Sequence, residues 1–345
     1  MTGKPAAHSG MRLHALDTAK GISVILVVFW HVLMVSSSVG FTPHPVYFAV
    51  NAPLLSMRMP LFFFVSGVVV AHSLSGPWKD FFNRKLLDLL WICGLWTVIY
   101  TVVQGRPTSY ILTSWYRPEI HLWFLWGLII YRLLSYLLRR HKTLALALSL
   151  TLSLLAYHDL PQDFWGSLST HQRSVVKYGA FFFFAVWYGR QMVSALYRWP
   201  WIGLAAALMA ALLASRLDLV FLLSLSGVML ILSASILISE HLVAVQHAFT
   251  FVGSRSLEIF VLHFAMVGPF LKMAKGYSHS ALWAVPAVTL ACVALAIALR
   301  RITDRFAPWL FRAPKGLMEH LGARIGALGN RSQPDVTPDG EGRLR

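Results

Sequence analysis

The sequence carries little charge. Only 13% of its 345 residues are Asp, Glu, Lys or Arg, whereas a soluble domain typically carries about 25%. Hydrophobic residues make up 57% of the chain and are collected into long runs. This combination excludes an ordinary soluble globular protein. It predicts an all-α polytopic membrane protein, because helices satisfy their own backbone hydrogen bonds inside a bilayer.

Cysteines, a leader sequence and internal repeats are also scarce or missing. Cys93 and Cys292 each lie inside an apolar run, so we expect neither a disulfide framework nor a CxxC metal site, and we expect no metal. Residues 1–15 have no apolar core before a small-residue cleavage site, so we expect the first helix to serve as the membrane signal. No internal repeat is visible, which disfavours an inverted-repeat transporter.

The apolar runs predict a membrane helix bundle with about ten transmembrane helices. Crossing the hydrocarbon takes about 20 residues, and shorter runs can span when they are tilted or flanked by aromatic residues. The predicted spans are 21–39, 54–74, 86–104, 121–138, 143–158, 174–194, 199–215, 218–239, 247–271 and 280–300.

The formal charge of +16 indicates orientation rather than nucleic acid binding. Lys and Arg are concentrated on alternate loops, as the positive-inside rule requires when both termini are cytoplasmic. The predicted inner loops include Lys79, Arg139, Arg140, Lys142 and Arg190. We therefore expect a multi-pass plasma membrane protein with the lipid bilayer as its surroundings. It would have a cytoplasmic segment at 1–15, a transmembrane domain at 16–305 and a basic cytoplasmic tail at 306–345, disordered from about 330.

Four basic side chains fall inside or at the outer mouths of predicted spans, where ionisable groups are costly. His31 follows nine residues that are apolar apart from Ser23, about 15 Å into the first span. Arg58, His121 and His263 lie on three other spans at comparable or outer depth. A histidine there can act as a general base or acid on a hydroxyl. The alternative is a histidine that only hydrogen-bonds a neighbouring helix.

A second basic set is predicted at the cytoplasmic ends of the helices: Lys20, Arg84, Lys85 and Arg255. Cations and helix N-termini can hold phosphate groups there, although inner-side Lys and Arg are also expected for topology alone. Along the helices we expect Arg255 to pair with Glu258 and Lys20 to pair with Asp17. We also expect Asp17 to cap the first helix.

The segments DTAKGISVILVVFWH, RMPLFFFVSG, HLWFL and GSRSLEIFVLH, in this order, resemble the acyltransferase 3 family of membrane proteins. The KGI and MPLFFFVSG segments are most similar to its fucose 4-O-acetylase-like branch. The resemblance extends over roughly residues 11–305. Lys20 and His31 match the basic residue and histidine of the family's first-helix motif, and Arg58 matches the arginine before its aromatic-rich second helix. Lys20 stands where many members have Arg, so a point charge replaces a bidentate fork.

The resemblance implies a cytoplasmic acyl-CoA donor, with acetyl-CoA as the expected one, and a hydroxyl acceptor on a glycan or lipid-linked sugar at the outer face. Our hypothesis is that Arg255, with Lys20, Arg84 and Lys85, holds the phosphates of acyl-CoA. His31 would act as general base, and Arg58 would orient the acceptor or stabilise the oxyanion. His121 and His263 would line the acceptor side. Direct transfer and a covalent acyl-histidine step both stay open.

Two other function classes compete with this hypothesis. A transporter or exporter of glycans would use the same charges as a pathway without making a bond. A membrane acyltransferase of another architecture would use a His and Asn pair. We disfavour the latter because we expect none of Asn51, Asn83 and Asn330 to lie in the middle of the membrane.

Overall fold

The long apolar runs fold into a bundle of helices. The computed structural model describes residues 5–118, 121–277, 282–314 and 316, and all regular secondary structure in these ranges is helical. This confirms the predicted all-α membrane fold class. The long helices are α1 (Pro5–Ser36), α2 (Val46–Leu55), α3 (Arg58–Ala71), α4 (Leu87–Val103), α5 (Trp123–Leu137), α6 (Lys142–Tyr157), α7 (Thr170–Arg198), α8 (Pro200–Arg216), α9 (Val220–His241), α10 (Val243–Gly253), α11 (Ser256–Ala274) and α12 (Ala284–Phe306).

Five stretches of the described residues are helical, long and apolar enough to cross a membrane: His14–Val39, Val46–Ser75, Val220–His241, Ser256–Ala274 and Ala284–Phe306. The bent pair of α7 and α8 makes a sixth if it is taken as one span. Helices α4, α5, α6 and α10 are apolar but shorter. The chain is a multi-pass membrane protein. The number of ten spans and the cytoplasmic position of the termini stay predictions.

Local sequence signals set the ends of α7. The Ser169 hydroxyl accepts a hydrogen bond from the backbone of Gln172 at 3.2 Å, while the Gln172 side chain accepts one from the backbone of Ser169 at 2.8 Å. This capping box starts the helix. Pro200 ends it, because proline lacks the N–H and its ring clashes with the preceding turn. The axis of α8 therefore makes an angle of 109° with that of α7. The sequence predicted two separate spans for these two helices.

Two predicted boundaries are wrong. α1 begins at Pro5, far ahead of the predicted start at 21, so Asp17 lies inside the helix and does not cap it. The predicted span 247–271 is interrupted, because α10 ends at Gly253 and α11 begins at Ser256. The break matters for the site, since it removes Arg255 from a continuous helix.

α1 is the central helix of the bundle and packs against α3, α9, α10, α11 and α12. Its crossing with α10 brings backbone against backbone. A Cβ on Gly253 would overlap the carbonyl of Asp17, and a Cβ on Gly21 would overlap the carbonyl of Phe249. Small residues permit this close approach in membrane bundles, where van der Waals packing drives helix association.

One end of the bundle collects basic residues. Arg132 of α5 donates to the carbonyl of Lys85 at 2.5 Å, and Tyr136 of α5 donates to the carbonyl of Gly76, just beyond α3, at 3.2 Å. We call this end, which carries Lys20, Lys85, Arg132, Arg139 and Lys142, the basic end. The positive-inside rule predicts that it faces the cytoplasm.

The beginning of the predicted tail packs on the bundle. Trp91 and Trp96 of α4 donate to the carbonyls of Trp309 and Leu310 at 2.6 and 2.9 Å. The side chain of Asp88 accepts from the backbone of Ala313 at 2.9 Å. The part of the tail from about 330 that is predicted to be disordered lies outside the described residues.

We expect Gly253→Ala to lower the stability of the protein by about 1–3 kcal/mol, because the added methyl group meets backbone atoms that have no rotamer to escape into. The measurement is the apparent melting temperature of the purified protein in detergent. Gly268→Ala is the matched control, since nothing lies within 4 Å of a Cβ at that position. Equal melting temperatures for the two variants would contradict the tight crossing of α1 and α10.

Candidate active site

Three histidines from separate parts of the chain meet inside the bundle. His31 lies on α1, His263 lies on α11, and His121 lies two residues before α5. Nε2 of His263 is 3.2 Å from Nδ1 of His31. The centre of the His121 ring lies 5.4 Å from that of His263 and 6.4 Å from that of His31. The sequence placed these residues at comparable depth, and the structure brings them into one group, which we call the histidine cluster.

Backbone carbonyls fix the protons on two of these rings. Nδ1 of His31 is 2.8 Å from the carbonyl oxygen of Val27, and Nδ1 of His263 is 3.0 Å from that of Ile259. A carbonyl oxygen can only accept, so each neutral ring carries its proton on Nδ1. The single Nδ1–H of His31 is then shared between two acceptors, the carbonyl of Val27 and Nε2 of His263, and Nε2 of His31 keeps its lone pair. A free lone pair is what a general base requires.

An aromatic shell holds the rings in place. The ring of Phe264 stacks on His121 at 4.8 Å and lies edge-on to His31 at 5.6 Å. Tyr100 lies edge-on to His121 at 4.8 Å and donates to the carbonyl of Val261 at 2.7 Å. His121 and His263 are buried, whereas His31 is partly exposed. The accessible ring in the cluster is therefore the one with the free Nε2.

Arg58 lies beside the histidine cluster on α3. Its Nη1 donates to the side chain of Asn51 at 2.9 Å and to the carbonyl of Leu26 at 3.2 Å. The guanidinium also lies over the ring of Trp30, 5.0 Å from its centre. Its Nη2 is buried and has no partner among the described residues. One strong donor of Arg58 is therefore left for a group that the chain itself does not supply.

Asn51 corrects one expectation from the sequence. It is buried near the start of the candidate span Val46–Ser75, whereas the second span was predicted to begin at 54, after this residue. Asn51 contacts Arg58 and thereby orients the guanidinium.

A cavity of about 210 Å³ extends from the basic end toward the histidine cluster. Near the cluster its wall includes Phe260, whose ring lies 5.6 Å from that of His121 and 5.9 Å from that of His263. The lining residues are Lys20, Phe62, Ser66, Val69, Leu89, Phe124, Leu128, Arg132, Gly253, Ser254, Ser256, Leu257 and Phe260. We call this space the donor cavity. It has the cations Lys20 and Arg132 in its wall and ends near the histidine cluster at Phe260, which separates it from the imidazole rings.

Arg132 is a site residue that the sequence reasoning missed. It lines the donor cavity, donates from Nη1 to the carbonyl of Lys85, and keeps a buried Nε with no partner among the described residues. The signal was present, because Arg132 is a single charge within the apolar run IIYRLLSYLL. A charge inside a membrane helix indicates function by default.

Lys20 and Arg255, both predicted at the cytoplasmic side, differ in their relation to the donor cavity. Lys20 lines the donor cavity and forms the predicted ion pair with Asp17 at 2.8 Å. Arg255 is not among the lining residues; it folds back to donate to the carbonyl of Phe251 at 3.0 Å and to Ser254 at 3.1 Å.

The predicted pair of Arg255 and Glu258 is wrong. Glu258 instead contacts Arg300 of α12, with an N to O distance of 3.2 Å. The pair was predicted from helical spacing, but Arg255 lies at the break before α11, where it does not share a helical surface with Glu258.

Lys85 and Arg84 lie on the π-helical turn Phe82–Leu86 that leads into α4. The carbonyl of Lys85 holds Arg132, and its side chain is partly buried. The side chain of Arg84 lies outside the described part of the chain. Turns of this type recur at functional sites.

Comparisons with known proteins agree with the resemblance in the motifs. The family model described as an acyltransferase domain, that of acyltransferase 3, matches residues 13–301. The inner membrane protein YcfT of Escherichia coli (strain K12) is 23% identical over 356 residues, which cover 87% of this chain and 95% of YcfT. No solved structure matches the chain. The chain belongs to the acyltransferase 3 family of membrane proteins, and this membership supports acyl transfer as its activity.

Proposed function

We propose that this protein is an integral membrane O-acyltransferase of the plasma membrane. It moves an acyl group, with acetyl as the expected one, from cytoplasmic acyl-CoA to a hydroxyl of a cell-envelope or exported glycan. The observation that supports this proposal is the free Nε2 of His31 in a histidine cluster that packs on Phe260, a wall residue of the cavity that extends from the basic end. A base and a route for a charged donor are the two parts that such a reaction needs.

The reaction follows from the position of the lone pair on His31. Nε2 takes the proton of the acceptor hydroxyl, whose oxygen attacks the thioester carbonyl. The carbon–oxygen bond forms, the carbon–sulfur bond breaks, and the proton on Nε2 passes to the departing thiolate of CoA. Arg58 would stabilise the tetrahedral oxyanion through its free Nη2. A covalent acyl-histidine is not needed for the atoms to balance.

The donor would bind from the basic end. Lys20 and Arg132, both in the wall of the donor cavity, would hold phosphate groups, and Lys85, Arg84 and Arg255 would assist from outside the wall. A helix that carries both Lys20 and His31 spans roughly 16 Å between them, at 1.5 Å per residue. The thioester arm of acyl-CoA would cover this distance inside the cavity.

The acceptor would approach from the opposite end of the bundle. Arg58 and Asn51 lie beside α1 at the level of Leu26 and Trp30, next to the histidine cluster. His121 would face the same space, because its Nδ1 is buried without a partner among the described residues. A sugar hydroxyl arriving there would meet hydrogen-bonding groups on more than one side.

We expect His31→Ala to reduce transfer of radiolabelled acetyl groups from acetyl-CoA to an envelope extract by about 10²–10⁴-fold, the usual contribution of a general base. The assay uses purified protein, and a melting curve checks that the variant is folded. His14→Ala on the exposed part of α1 is the matched control and should retain activity. Transfer that persists in folded His31→Ala protein would remove His31 from the reaction. Absence of transfer by the wild type with every donor and acceptor would favour a transporter.

His263 is proposed as a positioning residue that accepts the Nδ1 proton of His31. We expect His263→Gln, whose amide oxygen can still accept, to retain at least about ten times more activity than His263→Leu, since the imidazole of His31 loses a partner that holds its orientation and a misplaced base is a poor one. The pH profile of kcat/KM should change in the leucine variant and stay close to wild type in the glutamine variant. Identical profiles and equal activities would assign His263 a purely structural role.

We expect Arg132→Gln to raise the KM for acyl-CoA by about tenfold or more, because a charge-assisted hydrogen bond contributes about 1.5–3 kcal/mol. The KM for the acceptor should change little. Arg255→Gln is the comparison variant: its side chain is outside the cavity wall, so its effect on the donor KM should be smaller. A larger effect from Arg255→Gln would restore Arg255 as the principal phosphate ligand.

A further inference from the structure

Two neighbouring cavities lie on another side of α5 from the donor cavity, one between α5, α6 and α7 and the other between the C-terminal end of α3, the start of α6 and α7. The first is an apolar groove of about 340 Å³, and its walls include Ile130, Leu134, Leu148, Leu152 and Val176. The second is a cavity of about 470 Å³ at the basic end, which we call the basic pocket. Neither contains a residue that the proposed reaction uses.

The groove and the basic pocket are neighbours along α6 and α7 and just beyond the end of α5. Leu138 lines the groove, and the next residue, Arg139, lines the basic pocket. Lys142 of the basic pocket lies one helical turn from Ala145 of the groove, and Phe183 of the groove lies one turn from Trp187 of the basic pocket. An elongated ligand that occupied both would meet apolar walls along its length and cations at one end.

The dimensions of the groove fit one lipid chain. It extends along α5 from Trp126 to Leu138, about 18 Å at 1.5 Å per residue. One leaflet of the hydrocarbon core is about 15 Å thick, half of the whole core. A chain that begins at the basic end and fills the groove would therefore reach about as far as the middle of the bilayer.

The charges of the basic pocket select an anionic head group. Arg139, Lys142 and Arg190 line it, and no Asp or Glu does so among the described residues. Arg139 is held by stacking on Tyr136, with its guanidinium carbon 3.8 Å from the ring centre. Lys142 and Arg190 are exposed. Uncompensated cations at a membrane surface attract anionic lipids.

We propose that this site binds one anionic phospholipid of the leaflet at the basic end. The phosphate would lie among the three cations of the basic pocket, and one acyl chain would lie in the groove between α5, α6 and α7. Because the groove beside the cations is long and apolar, the ligand is a lipid rather than a free phosphate, and this inference does not depend on the proposed reaction.

Native mass spectrometry of the delipidated full-length protein with added lipids tests the head-group assignment. We expect phosphatidylglycerol to bind about tenfold more tightly than phosphatidylcholine with the same acyl chains. The double variant Lys142→Gln with Arg190→Gln should lose most of this preference. The control Lys79→Gln with Arg140→Gln removes the same charge from exposed residues outside the pocket and should keep it. Equal binding of the two lipids by the wild type, or an unchanged preference in Lys142→Gln with Arg190→Gln, would overturn the proposal.

Two further comparisons test the groove and the source of the phosphate. Leu148→Trp introduces a larger side chain into the groove and should weaken binding of phosphatidylglycerol several-fold. Leu150→Trp, on the same helix but outside the groove, should not. Soluble glycerol phosphate should bind far more weakly than the lipid. Binding of glycerol phosphate as tight as that of the lipid, or no effect of Leu148→Trp, would show that no acyl chain occupies the groove.

Discussion

A polar side chain inside a membrane bundle has to find its partners within the protein, because the hydrocarbon offers no water. This constraint decides how the functional side chains of this protein are held. Backbone carbonyls take the Nδ1 protons of His31 and His263, and another carbonyl takes a proton of Arg132. Arg58 and Arg132 each keep one buried N–H with no partner among the described residues. These unpaired N–H groups border the proposed path of the acyl group. Because an unpaired polar group is costly inside the bundle, we infer that they are kept to bind the substrates.

Much of the architecture follows from the sequence because membrane folding leaves clear patterns. The length and composition of the apolar runs predict an all-α membrane bundle, and the cost of buried charge singles out His31, His121 and His263. The contact among these three histidines depends on tertiary packing, which the spacing of residues along the sequence does not predict. The break between Gly253 and Ser256 was not predicted, although Gly253 and Ser254 are residues typical of a helix end and a helix start.

The errors in the site have separate causes, and the clearest is that a single sequence does not show which helices pack against each other. Glu258 was assigned to Arg255 by helical spacing, yet it contacts Arg300 from a helix more than forty residues further along the chain. Asn51 was overlooked because the start of its span was placed too late. Arg132 was not predicted as a site residue because the apolar run around it predicts a membrane span, which one charged residue does not change.

The central claim is that His31 presents an unprotonated Nε2 to the reacting groups, held in that form by Val27 and His263. Nitrogen-15 NMR of the purified protein with labelled histidine tests this directly, with the His31 signals identified by their loss in His31→Gln. The account predicts a neutral His31 ring with the proton on Nδ1 and a bare Nε2. A neutral His31 ring with the proton on Nε2 would contradict it, because no lone pair would then be available to accept the proton of the acceptor hydroxyl.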